Sequence, residues 1–370
     1  MKRLFPPTAI SMHRSHTRRE FLRAAGAAGA GALLLCRACI GTEAGARRSG
    51  LGLVTYCLGI HARDNPMLKE PSGFLEACRL RGAAGMQFPL GIRDAAAMRE
   101  LRGTAEKHGL YIEAILELPG IDAALDRFER EVATARAAGA AVARTVMLPG
   151  RRYEQFKTRV DFEQACAAGL QALQRAEPVA ARQGLKLAVE NHKDHLVDEK
   201  LAVLKRLSSE HVGLCVDVAN NLALLEDPLE AVRAFAPWAL TVHIKDQAVQ
   251  ACPEGFWLTD VALGAGVLDL KAMVGAIQAV RPGARFNLEV ITRAPILVPA
   301  LTEGYRVSFV PWSDDRLHRT MAWVRNNSTT GPLPRISGLA PADQRQREEE
   351  NVERSLRRAT DALRLGEALP

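Results

Sequence analysis

The feature that most constrains the fold is an alternation of eight short apolar runs with longer segments of helical pattern. Runs of this kind suit buried strands, and strands that alternate with helices indicate parallel strands joined by crossovers. Eight such units in a chain of 370 residues favour an α/β fold, a closed (β/α)8 TIM barrel, over an open doubly wound sheet. The predicted strands cover residues 51–56, 84–88, 110–116, 142–147, 185–190, 212–217, 239–244 and 285–290.

The composition changes after Asn327, where a loop rich in Ser, Thr, Gly and Pro begins. Beyond it, Pro341 starts a segment that reads as one helix and Gly366 follows its end, which are the positions that these residue types favour. We therefore predict a barrel over residues 51–327 and a C-terminal helical extension over residues 328–370. The helix should pack on the barrel or on a partner subunit of a homo-oligomer. Its narrow apolar stripe consists of Val352, Leu356, Ala359 and Leu363.

Residues 1–46 have the pattern of a signal segment. Within them, HTRREFLR (residues 16–23) resembles the twin-arginine export motif, and an Ala/Gly-rich run and the small residues Ala44-Gly45-Ala46 follow. The apolar run is too short and too rich in glycine for a membrane anchor. We expect recognition by the twin-arginine export machinery, cleavage of the segment, and a periplasmic or extracellular location.

The net charge of +7 does not indicate a nucleic-acid-binding protein, because the charge is concentrated at the N-terminus. Residues 1–48 contain nine basic and two acidic residues, which account for the whole excess. The rest of the chain is close to neutral. This balance argues against a groove that binds a polyanion.

Four predicted strands end at a residue that can bind a metal ion. Glu190, Asp217 and His243 lie at the ends of the fifth, sixth and seventh strands, and Glu289 lies at the end of the eighth. The carboxyl ends of barrel strands form one rim, so these side chains should meet there. Three carboxylates close together repel one another, and each raises the pKa of the others. A divalent cation bound between them and the imidazole would remove this conflict. The oxygen-rich set with one nitrogen suits Mn²⁺ or Mg²⁺, with Co²⁺ or Zn²⁺ as alternatives.

Five segments of the chain, VENHKD, GLCVDVANN, VHIKD, LGAGVLDL and NLEVITR, resemble the motifs of a known family. They are similar to those of the xylose isomerase-like TIM-barrel superfamily and, within it, of the sugar phosphate isomerase/epimerase group. The resemblance implies that Glu190, Asp217, His243 and Glu289 bind one divalent metal ion. It also implies that Glu190 and Glu289 are the catalytic pair that transfers protons.

Further residues near the strand ends are candidates for substrate binding. Lys245 lies two positions beyond His243, on the same side of an extended chain. Some epimerases of the group carry a histidine three residues after the metal-binding aspartate, where this chain has Asn220. Arginines after the fourth and eighth strands could contact substrate oxygens. The predicted substrate-binding residues are His192, Lys245, Asn220, Arg293 and Arg152, with Arg151 beside the last of them.

The predicted function is that of a divalent-metal-dependent isomerase or epimerase acting on a small-molecule sugar or polyol. Proton abstraction next to a carbonyl would proceed through a metal-stabilised enediolate, and a second carboxylate would return the proton. Two alternatives stay open. The same site could serve a lyase or dehydratase that performs β-elimination on a keto-sugar, keto-glycoside or inosose. The protein could also be a non-catalytic carbohydrate-binding protein.

Overall fold

The computed structural model describes residues 49–366 and contains a closed barrel of eight parallel strands surrounded by helices. The predicted TIM barrel is therefore confirmed. The predicted twin-arginine segment, residues 1–46, lies outside the described residues. Within the described part of the chain, no helix is long and apolar enough to cross a membrane.

The strands of residues 49–366 form the barrel and one small additional sheet. They are β1 (Leu51–Val54), β2 (Gly85–Phe88), β3 (Tyr111–Ile115), β4 (Val142–Thr145), β5 (Lys186–Glu190), β6 (Val212–Asp217), β7 (Ala239–Ile244), β8 (Asp246–Cys252), β9 (Gly255–Val261), β10 (Arg285–Leu288) and β11 (Ile296–Val298). The barrel order is β1-β10-β7-β6-β5-β4-β3-β2. The barrel strands are buried on both faces, as expected where helices cover the outside of a parallel sheet.

Helices occupy the connections between the strands. They are α1 (His61–Asp64), α2 (Pro71–Leu80), α3 (Ala95–Lys107), α4 (Leu125–Ala137), α5 (Arg152–Gln155), α6 (Arg159–Arg182), α7 (Val197–Leu207), α8 (Pro228–Phe235), α9 (Leu270–Val280), α10 (Glu303–Arg306), α11 (Asp314–Asn327) and α12 (Pro341–Asp361). Short 3₁₀ helices cover Thr55–Leu58, Pro66–Lys69, Asp122–Ala124, Asn220–Leu224 and Ala236–Trp238.

Local sequence explains where a typical helix of this barrel begins and ends. At the start of α3, the Asp94 carboxylate accepts hydrogen bonds from two backbone N–H groups of the first turn. Gly109 follows the end of the helix with φ of 60°, a left-handed conformation that glycine adopts without strain. Between these signals, Met98, Leu101 and Ala105 form the buried face. The spacing of the apolar residues thus turns one side of the helix toward the barrel.

The interval between β7 and β10 is long because it contains the small additional sheet. β8 and β9 form an antiparallel hairpin, and β11 pairs with β9. Asp246, the first residue of β8, accepts hydrogen bonds from the backbone N–H groups of Gly264, Gly266 and Leu268. A Cβ atom at Gly266 would lie 2.2 Å from Asp246 Oδ1, which explains the glycine. Asp246 therefore holds the LGAGV loop in place.

Helix α12 packs on the barrel of its own chain. The buried Glu348 carboxylate accepts hydrogen bonds from Ile60 N at 2.7 Å and His61 N at 2.9 Å. On the same helix, Val352 and Leu356 belong to the main hydrophobic core. The apolar stripe read from the sequence is thus covered within the chain itself.

Candidate metal centre

Four side chains meet at the carboxyl ends of β5, β6, β7 and β10, and we call them the rim cluster. Its members are Glu190, Asp217, His243 and Glu289. Each offers one ligand atom, and these atoms lie within 4.8 Å of one another. All four side chains are buried. A buried set of three carboxylates and one imidazole at this spacing can hold a metal ion.

Backbone and amide groups orient Asp217 within the rim cluster. Its Oδ1 accepts hydrogen bonds from the N–H groups of Ala219 and Asn220, both at 2.9 Å. Asn191 ties the end of β5 to the end of β6. Its Oδ1 accepts from Asp217 N at 2.7 Å, and its Nδ2 donates to Asp217 O at 2.8 Å. The second carboxylate oxygen, Oδ2, is thereby directed toward the other members of the rim cluster.

A second polar set inside the barrel orients the His243 ring, and we call it the interior network. Its members are Gln87, Glu113, Thr241 and Asn287. Gln87 Nε2 donates to Glu113 Oε2 at 3.1 Å, so Gln87 Oε1 is the acceptor that faces His243 Nε2 at 2.7 Å. His243 Nε2 therefore carries a proton. The other ring nitrogen, Nδ1, faces the carboxylates, 3.3 Å from the nearest oxygen of Glu289.

The His243 ring fits the role of a metal ligand. Its Nδ1 atom is buried and makes no hydrogen bond. Burial would lower the pKa of His243, but Cys215, Glu289 and Glu190 raise it well above its ordinary value. The ring is therefore a cation among carboxylates. A divalent ion bound here would displace the Nδ1 proton and supply the positive charge in its place.

Two further cations balance the charge of the rim cluster. Lys245 Nζ lies 2.6 Å from Asp217 Oδ2 and 2.8 Å from Glu289 Oε2. Arg144 Nε donates to Glu190 Oε2 at 2.6 Å. Burial would raise the pKa of both glutamates. Lys245 nevertheless holds the pKa of Glu289 well below its usual value, and Arg144 lowers the pKa of Glu190. Burial raises the pKa of Asp217 to about 6.

A cavity of about 330 Å³ lies beside the rim cluster, and Glu289 forms part of its wall. The Asn220 side chain reaches from this wall to the cluster, because its Nδ2 donates to Glu190 Oε1 at 3.1 Å. The structure therefore brings four of the predicted substrate-binding residues to the cavity beside the rim cluster. They are His192, Lys245, Asn220 and Arg293.

The structure does not bring Arg152 to this cavity. Its guanidinium lies over the rings of Phe162 and Phe309 and donates to Glu199 at 2.6 Å. The neighbouring Arg151 lines the cavity in its place. Arg152 is the first residue of α5 and Arg151 precedes that helix, so the two side chains point in different directions.

Two cavity residues, Arg144 and Lys193, were absent from the predicted site. Arg144 lies inside β4, and a charged side chain within a buried strand was a usable signal in the sequence. The sequence signal for Lys193 was its place in the polar run that follows Glu190, next to His192. Lys193 has φ of 56° and is only 4% exposed. Burial, followed by the nearby charge of Lys245, lowers the pKa of Lys193 to about 8.

The fold and the site define the class of this protein: a TIM barrel whose strand ends carry a buried histidine–carboxylate cluster able to hold a metal ion. The chain belongs to the xylose isomerase-like TIM barrel family, whose model matches residues 75–327. The family indicated by the sequence motifs is confirmed.

Two curated relatives match parts of the chain. A 3-oxo-isoapionate decarboxylase from Pectobacterium atrosepticum is 32% identical over 110 residues, which are 29% of this chain and 39% of that enzyme. The uncharacterized protein YihM from Escherichia coli is 31% identical over 91 residues, which are 25% of this chain and 28% of that protein. The chain therefore matches well under half the length of either relative.

Among solved structures, that of an L-ribulose 3-epimerase is similar to this chain. The TM-score is 0.51 and the sequence identity 15%, with 86% of this chain and 98% of that chain covered. At this level of identity the similarity shows the fold alone.

Proposed function

We propose that this protein is a divalent-metal-dependent isomerase or epimerase that acts on a sugar or polyol. The observation that supports this most is the position of Glu190 and Glu289. Both carboxylates face the same histidine nitrogen, with Oε atoms 3.7 Å and 3.3 Å from His243 Nδ1. Two carboxylates that border one reacting centre can remove a proton and return it to another face or to a neighbouring carbon.

The metal ion we propose is Mn²⁺, because the donor set contains three carboxylates and a single nitrogen. A divalent ion held by the rim cluster would polarise a substrate carbonyl and so acidify the adjacent C–H group.

The residues of the chain have distinct roles in this proposal. Glu289, whose pKa is held low by Lys245 despite burial, is ionised and can accept the proton. Glu190 ends β5, which lies on the opposite side of β7 from β10 in the barrel order. It can return a proton to the substrate after it has itself taken one up from solvent. Lys245 borders the cavity and can hold a substrate oxygen that becomes negative during proton transfer. General acid–base catalysis of this type typically accelerates a reaction by ~10²–10⁴-fold.

A lyase reaction at the same centre is the second candidate. It is favoured by the relative named 3-oxo-isoapionate decarboxylase, which is 32% identical over 110 residues. Loss of carbon dioxide from a carboxylate attached to the carbon next to a carbonyl, or loss of a β-oxygen substituent, proceeds through the same kind of enolate as proton abstraction. The rim cluster would serve either reaction, and the substrate would decide whether a proton is returned or a group is lost.

The experiment that tests the proposal is proton NMR in D₂O with the Mn²⁺-loaded protein and a panel of ketoses, inososes and keto-glycosides. An isomerase or epimerase incorporates deuterium at one carbon and forms an isomer of the substrate. A vinylic signal or released carbon dioxide would instead establish the lyase. Glu289→Gln is the control variant, because it keeps the shape of the side chain and removes the proton acceptor. Metal binding without exchange on any substrate would indicate a binding protein.

A further inference from the structure

Lys193 lies in an environment that does not balance its charge. Its side chain is almost fully buried and lines the cavity beside the rim cluster. Its Nζ atom donates a hydrogen bond to Asn220 Oδ1, which is a neutral acceptor. Among residues 49–366, no carboxylate lies within ion-pair distance of this ammonium group. A buried charge is stable only when it is paired or hydrogen-bonded.

The nearby carboxylates are already paired with other cations. Lys245 lies between Asp217 and Glu289, and Arg144 binds Glu190. A divalent ion shared by these carboxylates would reduce further the negative charge available to Lys193. Among residues 49–366, the Lys193 ammonium group, which carries three protons, donates one hydrogen bond, to Asn220 Oδ1.

A second cation, Arg293, faces the same cavity and forms a long ion pair with Asp260. Arg293 lines it, and its Nη2 atom is 3.6 Å from Asp260 Oδ2, beyond the length of a hydrogen bond. Arg151, by contrast, is tightly paired, with Nη1 2.5 Å from Glu154 Oε1. Lys193 and Arg293 thus give the cavity a positive wall that is incompletely neutralised by the protein.

The backbone holds Lys193 in this position. Its φ of 56° is a left-handed conformation that few residues with a side chain adopt. Its carbonyl oxygen accepts a hydrogen bond from Arg152 N at 3.0 Å. Glycine would adopt the conformation with less strain, so the backbone alone does not explain a lysine. An unusual conformation that directs a charged side chain into a cavity is characteristic of binding sites.

We propose that Lys193, assisted by Arg293, binds an anionic group of the substrate, a carboxylate or a phosphate. This inference rests on the proposed function, since it assigns a substrate class to the same cavity: sugar or polyol derivatives that carry a negative charge. One amide side chain, that of Asn220, separates the Lys193 ammonium from Glu190. The anionic group therefore binds close to the carboxylates that transfer the proton.

Isothermal titration calorimetry on the Mn²⁺-loaded full chain tests this inference without requiring turnover. The ligands are D-fructose, which is neutral, 5-keto-D-gluconate, which carries a carboxylate, and D-fructose 6-phosphate. We expect at least one of the anionic ketoses to bind about 10- to 100-fold more tightly than fructose, because it gains a charge-assisted hydrogen bond that the neutral sugar lacks. The anion that binds more tightly shows whether the site prefers a carboxylate or a phosphate.

Lys193→Met is the decisive variant, because methionine keeps a long side chain at the same backbone conformation. It should bind fructose as the wild type does and lose most of the preference for the anion. Lys186→Met is the matched control and should keep that preference, because Lys186 is exposed at the start of β5, the end opposite to Glu190. Circular dichroism and thermal unfolding check that both variants fold.

Anions also bind metal ions directly, so a preference that survives in Lys193→Met would overturn the inference. Equal binding of neutral and anionic ketoses by the wild type, or no binding of either anion, would overturn it as well. Failure of the proposed function gives a different result. If an anionic ketose binds more tightly than fructose but exchanges no deuterium, the isomerase proposal fails and the anion site remains supported.

Discussion

The rim cluster and the interior network are both polar and buried within one barrel, yet their charges are satisfied in different ways. In the interior network, Glu113 Oε2 accepts hydrogen bonds at 2.8–3.1 Å from three neutral partners, the side chains of Gln87, Thr241 and Asn287. Burial raises the pKa of Glu113, which favours its neutral form. The rim cluster instead gathers ionised carboxylates around a histidine. Glu113 Oε1 is buried without a hydrogen-bond partner among residues 49–366. Hydrogen bonds among neutral side chains support the fold, whereas converging charges indicate a site for a ligand.

The largest expected effect compares one carboxylate from each region. Asp217→Asn removes a ligand atom and should lower the affinity for Mn²⁺ by more than the ~10–100-fold typical of changes outside the ligand shell. Glu113→Gln makes the same chemical change in the interior network and should lower it by less than about tenfold. Calorimetric titration with Mn²⁺ measures both. Equal losses in the two variants would contradict the distinction between the regions.

The next effect concerns stability. Glu113→Leu leaves the donors of Gln87, Thr241 and Asn287 without their acceptor, and should lower the free energy of unfolding by about 2–4 kcal/mol. Glu113→Gln retains an acceptor oxygen and should lose less. Guanidinium denaturation followed by circular dichroism gives both values. A leucine variant as stable as the wild type would show that the interior network does not support the fold.

A smaller effect probes the side-chain hydrogen bond between Gln87 and His243, which joins the two regions. Gln87→Leu removes the acceptor that fixes His243 Nε2–H and should lower the affinity for Mn²⁺ by about 10–100-fold. Thr241→Val is the control, because Thr241 belongs to the interior network and makes no hydrogen bond to His243. We expect it to lower stability and leave the metal affinity unchanged. Identical Mn²⁺ affinities for wild type and Gln87→Leu would disprove a positioning role for Gln87.

The smallest effect is the pH dependence of metal binding. Burial would lower the pKa of His243, but Cys215, Glu289 and Glu190 raise it above its ordinary value, and burial raises the pKa of Asp217 to about 6. Metal binding therefore displaces protons, so affinity should rise with pH, by up to about tenfold per unit for each proton released. Titrations in buffers with different ionisation enthalpies count these protons. A heat of metal binding that is the same in all buffers would show that no protons are released.

Much of the fold and the rim cluster could be predicted from the sequence. The apolar runs identified the eight barrel strands, although β1, β3, β4 and β10 end one or two residues earlier than predicted. Glu190, Asp217, His243 and Glu289 could be placed together because the carboxyl ends of parallel barrel strands share one rim. That geometric rule needs only the order of the elements along the chain.

The interior network was harder to predict, although its signal was present. Gln87 and Glu113 interrupt apolar strands, and a polar side chain inside a buried strand must find a partner. Their partners Thr241 and Asn287 come from distant parts of the chain, so the pairing depends on how the barrel closes. The sequence pattern shows that these side chains need hydrogen-bond partners, but only the closed barrel shows which residues those partners are.

The sequence by itself determined the strand order, the barrel class and the four residues of the rim cluster, because these follow from hydrophobic periodicity and chain order. Tertiary structure decided which side chains around them face the cavity. It turned Arg151 toward the site and Arg152 away, and it buried Lys193 without an ion-paired carboxylate among residues 49–366. The physical reason is that side-chain direction in turns depends on backbone dihedral angles, and packing against residues remote in the sequence sets those angles.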